Sequence, residues 1–239
     1  MKMLVKVYGG STAYGLNTPE SDVDYRGVFV NTDPAKILGL EKHEHMQKQE
    51  TEDEVYYEVR KFFELLRNGN TGAMEILFTE EMPLQTTNEF ETLIRQNAYK
   101  FVDTDKMFRC LLGYMQGERR LANGERTGVL GGKRKAQVDK YGFSPKNFVQ
   151  LFRLAYCGET LFSLGYFPVN IKEHNKEFCS WLMDIKTNPS NYTKEQLNIE
   201  VDKFEQRLKV AYDNRMVDYA FDRDFANDVL RKIYLPYLK

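Results

Sequence analysis

Residues 9–30 read GGSTAYGLNTPESDVDYRGVFV and join a glycine-rich turn to two aspartates at the head of a β-branched and aromatic run. Alternation along a strand would place Asp22 and Asp24 on one face, with Cα atoms about 7 Å apart. Paired carboxylates suit a hard divalent cation. Glycine backbone in the turn can bring N–H groups together around an anion. The pattern predicts a phosphate site beside a metal site.

The chain around this stretch divides into two parts of different patterning. Strands are predicted at Leu4–Tyr8, Val23–Val30 and Val55–Val59, followed by a helix at Arg60–Arg67. The charged segment 39–54 is either an extra hairpin or a solvent loop. Helical patterns then dominate, at Ala73–Phe78, Asn88–Asn97, Lys106–Leu121, Lys146–Leu164, Lys176–Ile185, Lys194–Tyr219 and Arg223–Ile233. We expect an α+β fold, with a catalytic domain at 1–100 and a mainly helical substrate- or nucleotide-binding domain at 101–239.

Composition limits the classes of function. The 239 residues are 42% hydrophobic with a net charge of −1, so a core is expected and any contact with nucleic acid must be local. The cysteines Cys110, Cys157 and Cys179 lack the spacing of a disulfide framework or a zinc knuckle. No stretch predicts a signal peptide or a membrane span. We expect a cytoplasmic protein, in the host cytoplasm if a phage encodes it.

The Gly10-Ser11 turn followed eleven positions later by Asp-x-Asp resembles the DNA-polymerase-β-like nucleotidyltransferase superfamily. The stretch is most similar to the RNA-repair-pathway branch of bacteria and large phages. A second block, YGFSPKNFVQLFRLAYCGETLFSLG at 141–165, resembles another segment of that branch. The resemblance implies a polymerase-β-like module that transfers a nucleoside monophosphate from a nucleoside triphosphate (NTP) to a hydroxyl and releases pyrophosphate. It also implies two Mg²⁺ ions, for which Mn²⁺ can substitute.

Such a site ordinarily uses a third carboxylate on a neighbouring strand. The candidates are Asp53, Glu54 and Glu58. Glu58 is preferred because it lies within an apolar strand, where an acid needs a metal or another partner; the alternative is an edge-strand glutamate that faces solvent or pairs with Arg60. The predicted catalytic and metal-binding set is Asp22, Asp24 and Glu58.

Other residues are candidates for the nucleotide. Gly10 and Ser11 would contact the phosphates, although serine is also a preferred helix N-cap. Arg26 would share a strand face with Asp24, where it would neutralise the acids or reach the phosphates.

In the second block, Lys146, Gln150 and Arg153 form one polar helical stripe. Charged stripes are usually solvated faces, but the resemblance assigns Lys146 and Arg153 to the triphosphate. Gln150 stands where that family has a histidine.

Several kinds of acceptor are compatible with the sequence. A glycine-rich basic run containing Lys133, Arg134 and Lys135 predicts a mobile loop that binds an RNA backbone, or a plain solvated loop. The resemblance suggests an RNA end, with a protein hydroxyl or a small molecule as alternatives. The competing class is an inactive binding module, for example in a toxin–antitoxin pair. A zinc site at His43 and His45 is disfavoured because no other ligands surround them.

Overall fold

The protein is described by a computed structural model that covers residues 1–39, 45–48, 53–79, 83–125 and 132–238, with backbone alone for 45–48 and 132–134. The chain forms two compact units. The first contains Met1–Met107, Pro168–Asn170 and Asp218–Lys239, and the second contains Phe108–Phe167 and Ile171–Val217. The functional division into domains at 1–100 and 101–239 stays a prediction.

A five-stranded mixed sheet forms the centre of the first unit. Its strands are β1 (Lys2–Gly9), β2 (Asp24–Val30), β3 (His45–Lys48), β4 (Asp53–Glu58) and β5 (Gln85–Thr86), in the order β3-β4-β2-β1-β5. β2 and β4 are parallel, and the other neighbours are antiparallel. Segment 39–54 was predicted to be either a hairpin or a loop; β3 lies within it and pairs with β4, so the hairpin is the correct alternative. The predicted α+β class is confirmed.

Short and medium helices accompany the sheet. They are α1 (Gly10–Ala13), α2 (Pro34–Leu38), α3 (Val59–Arg67), α4 (Thr71–Phe78) and, near the C-terminus, α11 (Arg223–Tyr234). α3 buries Phe62, Phe63 and Leu66, as its apolar spacing predicts. The helix expected at Asn88–Asn97 instead consists of a π-helical turn at Phe90–Ile94 and a 3₁₀ segment at Arg95–Phe101.

The second unit is helical. α5 (Thr104–Ala122) runs into it from the first unit, followed by α6 (Gly132–Tyr141), α7 (Pro145–Leu164), α8 (Ile171–His174), α9 (Lys176–Thr187) and α10 (Lys194–Asp213). α10 ends earlier than the predicted Tyr219. Trp181 of α9 stacks parallel to Phe204 of α10 with ring centroids 6.0 Å apart. Among the helices in the described part of the chain, none is both long and apolar enough to cross a membrane.

Candidate active site at the start of β2 and β4

The two adjacent glycines at the end of β1 make room for side chains of β2. A Cβ on Gly9 would approach Arg26 Cγ to 2.7 Å, and a Cβ on Gly10 would overlap the Asp24 carboxylate. Gly10 also has a φ of +55°, which L side chains rarely adopt. The turn therefore needs both glycines, and it holds Asp24 and Arg26 side by side on one face of the sheet.

Asp22 lies outside β2, so the expected strand alternation does not align it with Asp24. β2 begins at Asp24, so Asp22 belongs to the exposed segment before the strand. Upstream, Thr18 N–H donates to Ser21 Oγ at 2.8 Å and Ser21 N–H donates to Thr18 O at 2.9 Å, which closes a tight turn. This turn brings the chain into β2 with Asp22 two residues ahead of Asp24.

The register of β2 against β4 identifies the carboxylate next to Asp24. Asp24 pairs with Asp53 across the parallel ladder, and Phe29 pairs with Glu58. Paired residues share a face of the sheet, so Asp24 and Asp53 lie next to each other. Asp53 Oδ1 is buried and has no hydrogen-bond partner among the described residues. A buried oxygen without a partner fits a position that a cation would occupy.

Glu58 is not positioned to join this group. It lies five residues beyond Asp53, about 17 Å along the strand, and alternation turns it to the opposite face. Its Oε2 accepts from Arg60 N–H at 2.8 Å as the N-cap of α3, and its Oε1 accepts from Tyr234 Oη–H at 2.6 Å. The prediction that Glu58 completes the metal site is corrected by this register. The partner that its burial requires is a tyrosine.

Glu54, the remaining candidate, also faces away from Asp24. Its Oε1 accepts from Lys6 Nζ at 3.1 Å and from Tyr56 Oη–H at 2.9 Å. Burial lowers the pKa of Lys6, but its hydrogen bonds with Tyr56 and Glu54 outweigh this and raise the pKa overall. Glu54 thus belongs to a cluster on the opposite face of the sheet, and the register leaves Asp53 as the third candidate.

The backbone of the glycine turn already binds a carboxyl group of the protein itself. Gly10 N–H donates to Glu75 Oε1 at 2.8 Å, and Glu75 is only 7% exposed. Ser11 lies inside α1 rather than at its N-cap, which is Gly9. A phosphate that bound Gly10 N–H would therefore have to displace Glu75. Glu75 was not among the residues predicted from the sequence, although an acid within the apolar run Ala73–Leu77 indicates a buried partner in the same way as Glu58 does.

The second unit contains the other predicted nucleotide contacts. Lys146 is exposed at the start of α7, Gln150 is half-buried, and Arg153 is buried at 7% exposure. The pKa of Lys186 is lowered by burial and by the nearby positive charge of Lys146. The Lys146 and Lys186 ammonium groups therefore lie close enough to repel each other.

The predicted basic loop is partly a helix. α6 begins at Gly132, so Lys133, Arg134 and Lys135 lie in its first turn, where the Lys135 side chain is exposed. The expectation of a mobile loop is wrong for these three residues. His43 lies outside the described residues.

No three carboxylate, imidazole or thiolate side chains within the described ranges already converge as a metal site. Asp24 and Asp53 are adjacent by register, whereas Asp22 is exposed and unconstrained by the strand. Metal binding would therefore require the Asp22 side chain to turn toward β2.

Comparisons with known proteins found a similar sequence and a similar solved structure. One similar protein is an uncharacterized 38.9 kDa protein from the nrdC–mobD intergenic region of Enterobacteria phage T4. It is 33% identical over an alignment of 128 residues, with coverage of 48% of this chain and 37% of that protein. This chain thus matches well under two thirds of the phage protein's length. A crystal structure of a nucleotidyltransferase-like protein from Exiguobacterium sibiricum 255-15 aligns with 99% of this chain and 83% of its own, at 15% identity and a TM-score of 0.35.

The family comparison covers most of the molecule. Residues 1–209 match the model of RlaP, described as the RNA repair pathway DNA polymerase beta family. The matched range includes the glycine turn, the aspartates of β2 and β4, and all of α7. The chain belongs to the RNA repair pathway DNA polymerase beta family.

Proposed function

We propose that the protein is a Mg²⁺-dependent nucleotidyltransferase that moves a nucleoside monophosphate from an NTP to the hydroxyl of an RNA end and releases pyrophosphate. Membership of a DNA polymerase beta family supports the reaction class. The observation that carries the proposal is the pairing of Asp24 with Asp53, whose buried Oδ1 has no hydrogen-bond partner in the described ranges.

Three carboxylates would hold the metal in this proposal. Asp22, Asp24 and Asp53 supply the hard oxygen ligands that Mg²⁺ prefers. When bound, divalent cations neutralise charge on the phosphates, on the attacking oxygen and on the leaving pyrophosphate. Arg26, on the same face as Asp24, is suited to receive a phosphate oxygen. Gly9 and Gly10 leave the space that the Asp24 and Arg26 side chains occupy.

Lys146 and Arg153 are proposed to bind the triphosphate, as the family block suggested. Alanine at Lys146 should raise the apparent KM for NTP with little change in kcat. Because Arg153 is buried, its alanine variant needs a parallel unfolding measurement to separate lost binding from lost stability. Equal weakening of nucleoside mono- and triphosphate binding would contradict the assignment to the β- and γ-phosphates.

The test is incubation with each α-labelled NTP and Mg²⁺, together with total RNA, protein extract or no acceptor. We expect label in the RNA fraction, and none with Asp24→Asn. Label in the protein fraction alone would identify a protein acceptor instead. Absence of transfer under all conditions, with NTP binding retained in calorimetry, would identify a binding module without catalysis.

A further inference from the structure

A cavity of about 540 Å³ opens in the first unit, away from the candidate active site. Its lining includes Arg60 and Tyr234, the neighbours of Glu58 at the C-terminal end of β4. This end of the strand is about 17 Å from Asp53. The cavity and the aspartates are therefore separate places on the same unit.

The walls of the cavity are mostly apolar. Phe63 of α3 and Ala226 and Leu230 of α11 belong to them. Three further lining leucines lie exposed to solvent: Leu38 at 74%, Leu235 at 56% and Leu238 at 40%. Leucines at such exposure around one concave site are unfavourable in water unless a ligand covers them. The size and the apolar lining match those of small-molecule pockets.

The charged residues of the lining are predominantly positive. Four arginines, Arg60, Arg67, Arg223 and Arg231, line the cavity together with a single carboxylate, Glu64. Glu64 is partly neutralised by Lys61 at 3.5 Å, and Arg231 contacts Asp228 at 3.4 Å. Arg67 and Arg223 have no acidic partner in the described part of the chain. An excess of arginine beside an apolar cavity favours an anion with an apolar body.

Contacts between α3 and α11 hold the base of this cavity in place. Tyr234 donates to the fully buried Glu58, and the Arg60 guanidinium lies 5.7 Å from the centroid of the Tyr234 ring. Because Glu58 caps α3 while its partner belongs to α11, this contact fixes the two helices that carry the arginines. The site is thus held in place before any ligand arrives, which lowers the entropic cost of binding.

From these observations we infer that this cavity is a binding site for a small amphipathic organic anion, a molecule with an apolar body and one carboxylate, sulfonate or phosphate group. A polyphosphate alone would not cover the leucines, and a neutral apolar molecule would leave the arginines unused. The site is distinct from the nucleotide site proposed above and does not depend on it.

The test uses two fluorescent probes that differ by one charged group: 8-anilinonaphthalene-1-sulfonate and its uncharged parent N-phenyl-1-naphthylamine. We expect saturable one-to-one binding of the sulfonate and several-fold weaker binding of the parent. Arg67→Gln and Arg223→Gln should each raise the Kd of the sulfonate about three- to tenfold and leave that of the parent unchanged. Arg120→Gln, an exposed arginine of α5, is the matched control and should change neither.

A variant that fills the cavity tests where the probes bind, independently of charge. Asn227 is exposed and lines the cavity, so Asn227→Trp should weaken both probes at unchanged melting temperature and near-UV circular dichroism. Competition by dodecanoate and by 1-naphthoate then distinguishes an aliphatic from an aromatic ligand.

Three results would overturn the proposal. One is the absence of saturable sulfonate binding. Another is binding that persists unchanged both in the Arg67→Gln, Arg223→Gln double variant and in Asn227→Trp. The third is displacement of the probe by ATP at the concentration that saturates the active site, which would make this a nucleotide site.

Discussion

Asp53 and Glu58 are two acids of one strand with different environments. Asp53 stands beside Asp24 with a buried oxygen that lacks a partner in the described ranges, whereas both oxygens of Glu58 accept hydrogen bonds from Arg60 and Tyr234. The two acids are five positions apart on the strand, so they lie about 17 Å apart and on opposite faces of the sheet. We therefore propose a role in the chemistry for Asp53, whereas the hydrogen bonds of Glu58 indicate a role in stability.

This assignment predicts opposite outcomes for two conservative substitutions. Asp53→Asn should lower nucleotide transfer at least about a hundredfold, because it removes a charge from the site where phosphate charge is stabilised. Glu58→Gln should keep most transfer per folded molecule. Labelled nucleotide incorporated per milligram, with circular dichroism as the folding control, measures both. Loss of transfer in folded Glu58→Gln with retention in Asp53→Asn would overturn the register argument.

The Tyr234 hydroxyl should contribute to stability through Glu58. Burial, together with the adjacent Glu58 carboxylate, raises the pKa of Tyr234 above its usual value, so the phenol stays protonated and donates. Tyr234→Phe leaves a buried carboxylate with one hydrogen bond fewer. We expect the free energy of unfolding in urea to fall by about 1 to 3 kcal/mol. Tyr99→Phe, at a half-exposed tyrosine, is the control, and an equal change in both variants would show that Oη–H of Tyr234 adds nothing.

At the scale of elements, several helices begin at side chains that cap their own backbone. Thr193 and Gln196 form a reciprocal capping box at the start of α10, and Asn175 and Asp222 cap α9 and α11. These contacts lie within three residues along the chain. They explain why the starts of α9, α10 and α11 agree with the pattern-based predictions.

The connection between α9 and α10 should make stability sensitive to high pH. Tyr192 donates to Asp184 Oδ2 at 2.6 Å, and burial together with this carboxylate raises the pKa of Tyr192 to about 12. An unfolded tyrosine loses its proton near pH 10. Stability from this contact is therefore complete below about pH 10 and is lost as the pH rises toward 12.

Urea midpoints measured at pH 9, 10 and 11 would check this. The wild type should lose stability more steeply across that range than Tyr192→Phe, which has no proton to release. Parallel curves for the two proteins would show that the contact is not maintained in solution.

At the scale of the whole molecule, charge is nearly balanced, with 34 basic and 35 acidic residues. Long-range attraction to RNA is therefore weak, and binding has to rely on local clusters such as the first turn of α6. The candidate metal ligands belong to the first unit, which the chain leaves within α5, re-enters at Pro168–Asn170 and completes with Asp218–Lys239.

Neutralising the cluster tests whether RNA is the acceptor. Changing Lys133, Arg134 and Lys135 to glutamine should weaken RNA binding for all sequences and flatten the slope of log K against log salt by about two to three units. A control that changes the exposed Lys172, Lys176 and Lys203 alters net charge equally and should leave the slope unchanged. Identical slopes in both triple variants would argue against this surface as the RNA contact.

The local features of this protein can be predicted from neighbouring residues along the chain. The glycine turn, the aspartates that follow it, the bounds of most helices and the α+β class all rest on residues within a few positions of one another, where alternation, helical period and capping act. Such patterns place Asp24 and Arg26 on one face of a strand. They do not say which strand lies beside it or in which register.

The long-range pairings, by contrast, depend on how distant segments pack in the folded protein. The choice of Asp53 over Glu58 follows from the parallel register of β2 and β4, and a shift of one residue would exchange the two faces. Tyr234 reaches Glu58 across 176 positions, and Glu75 reaches Gly10 across 65. No local pattern encodes such contacts, because they form only when apolar surfaces from distant segments are buried together.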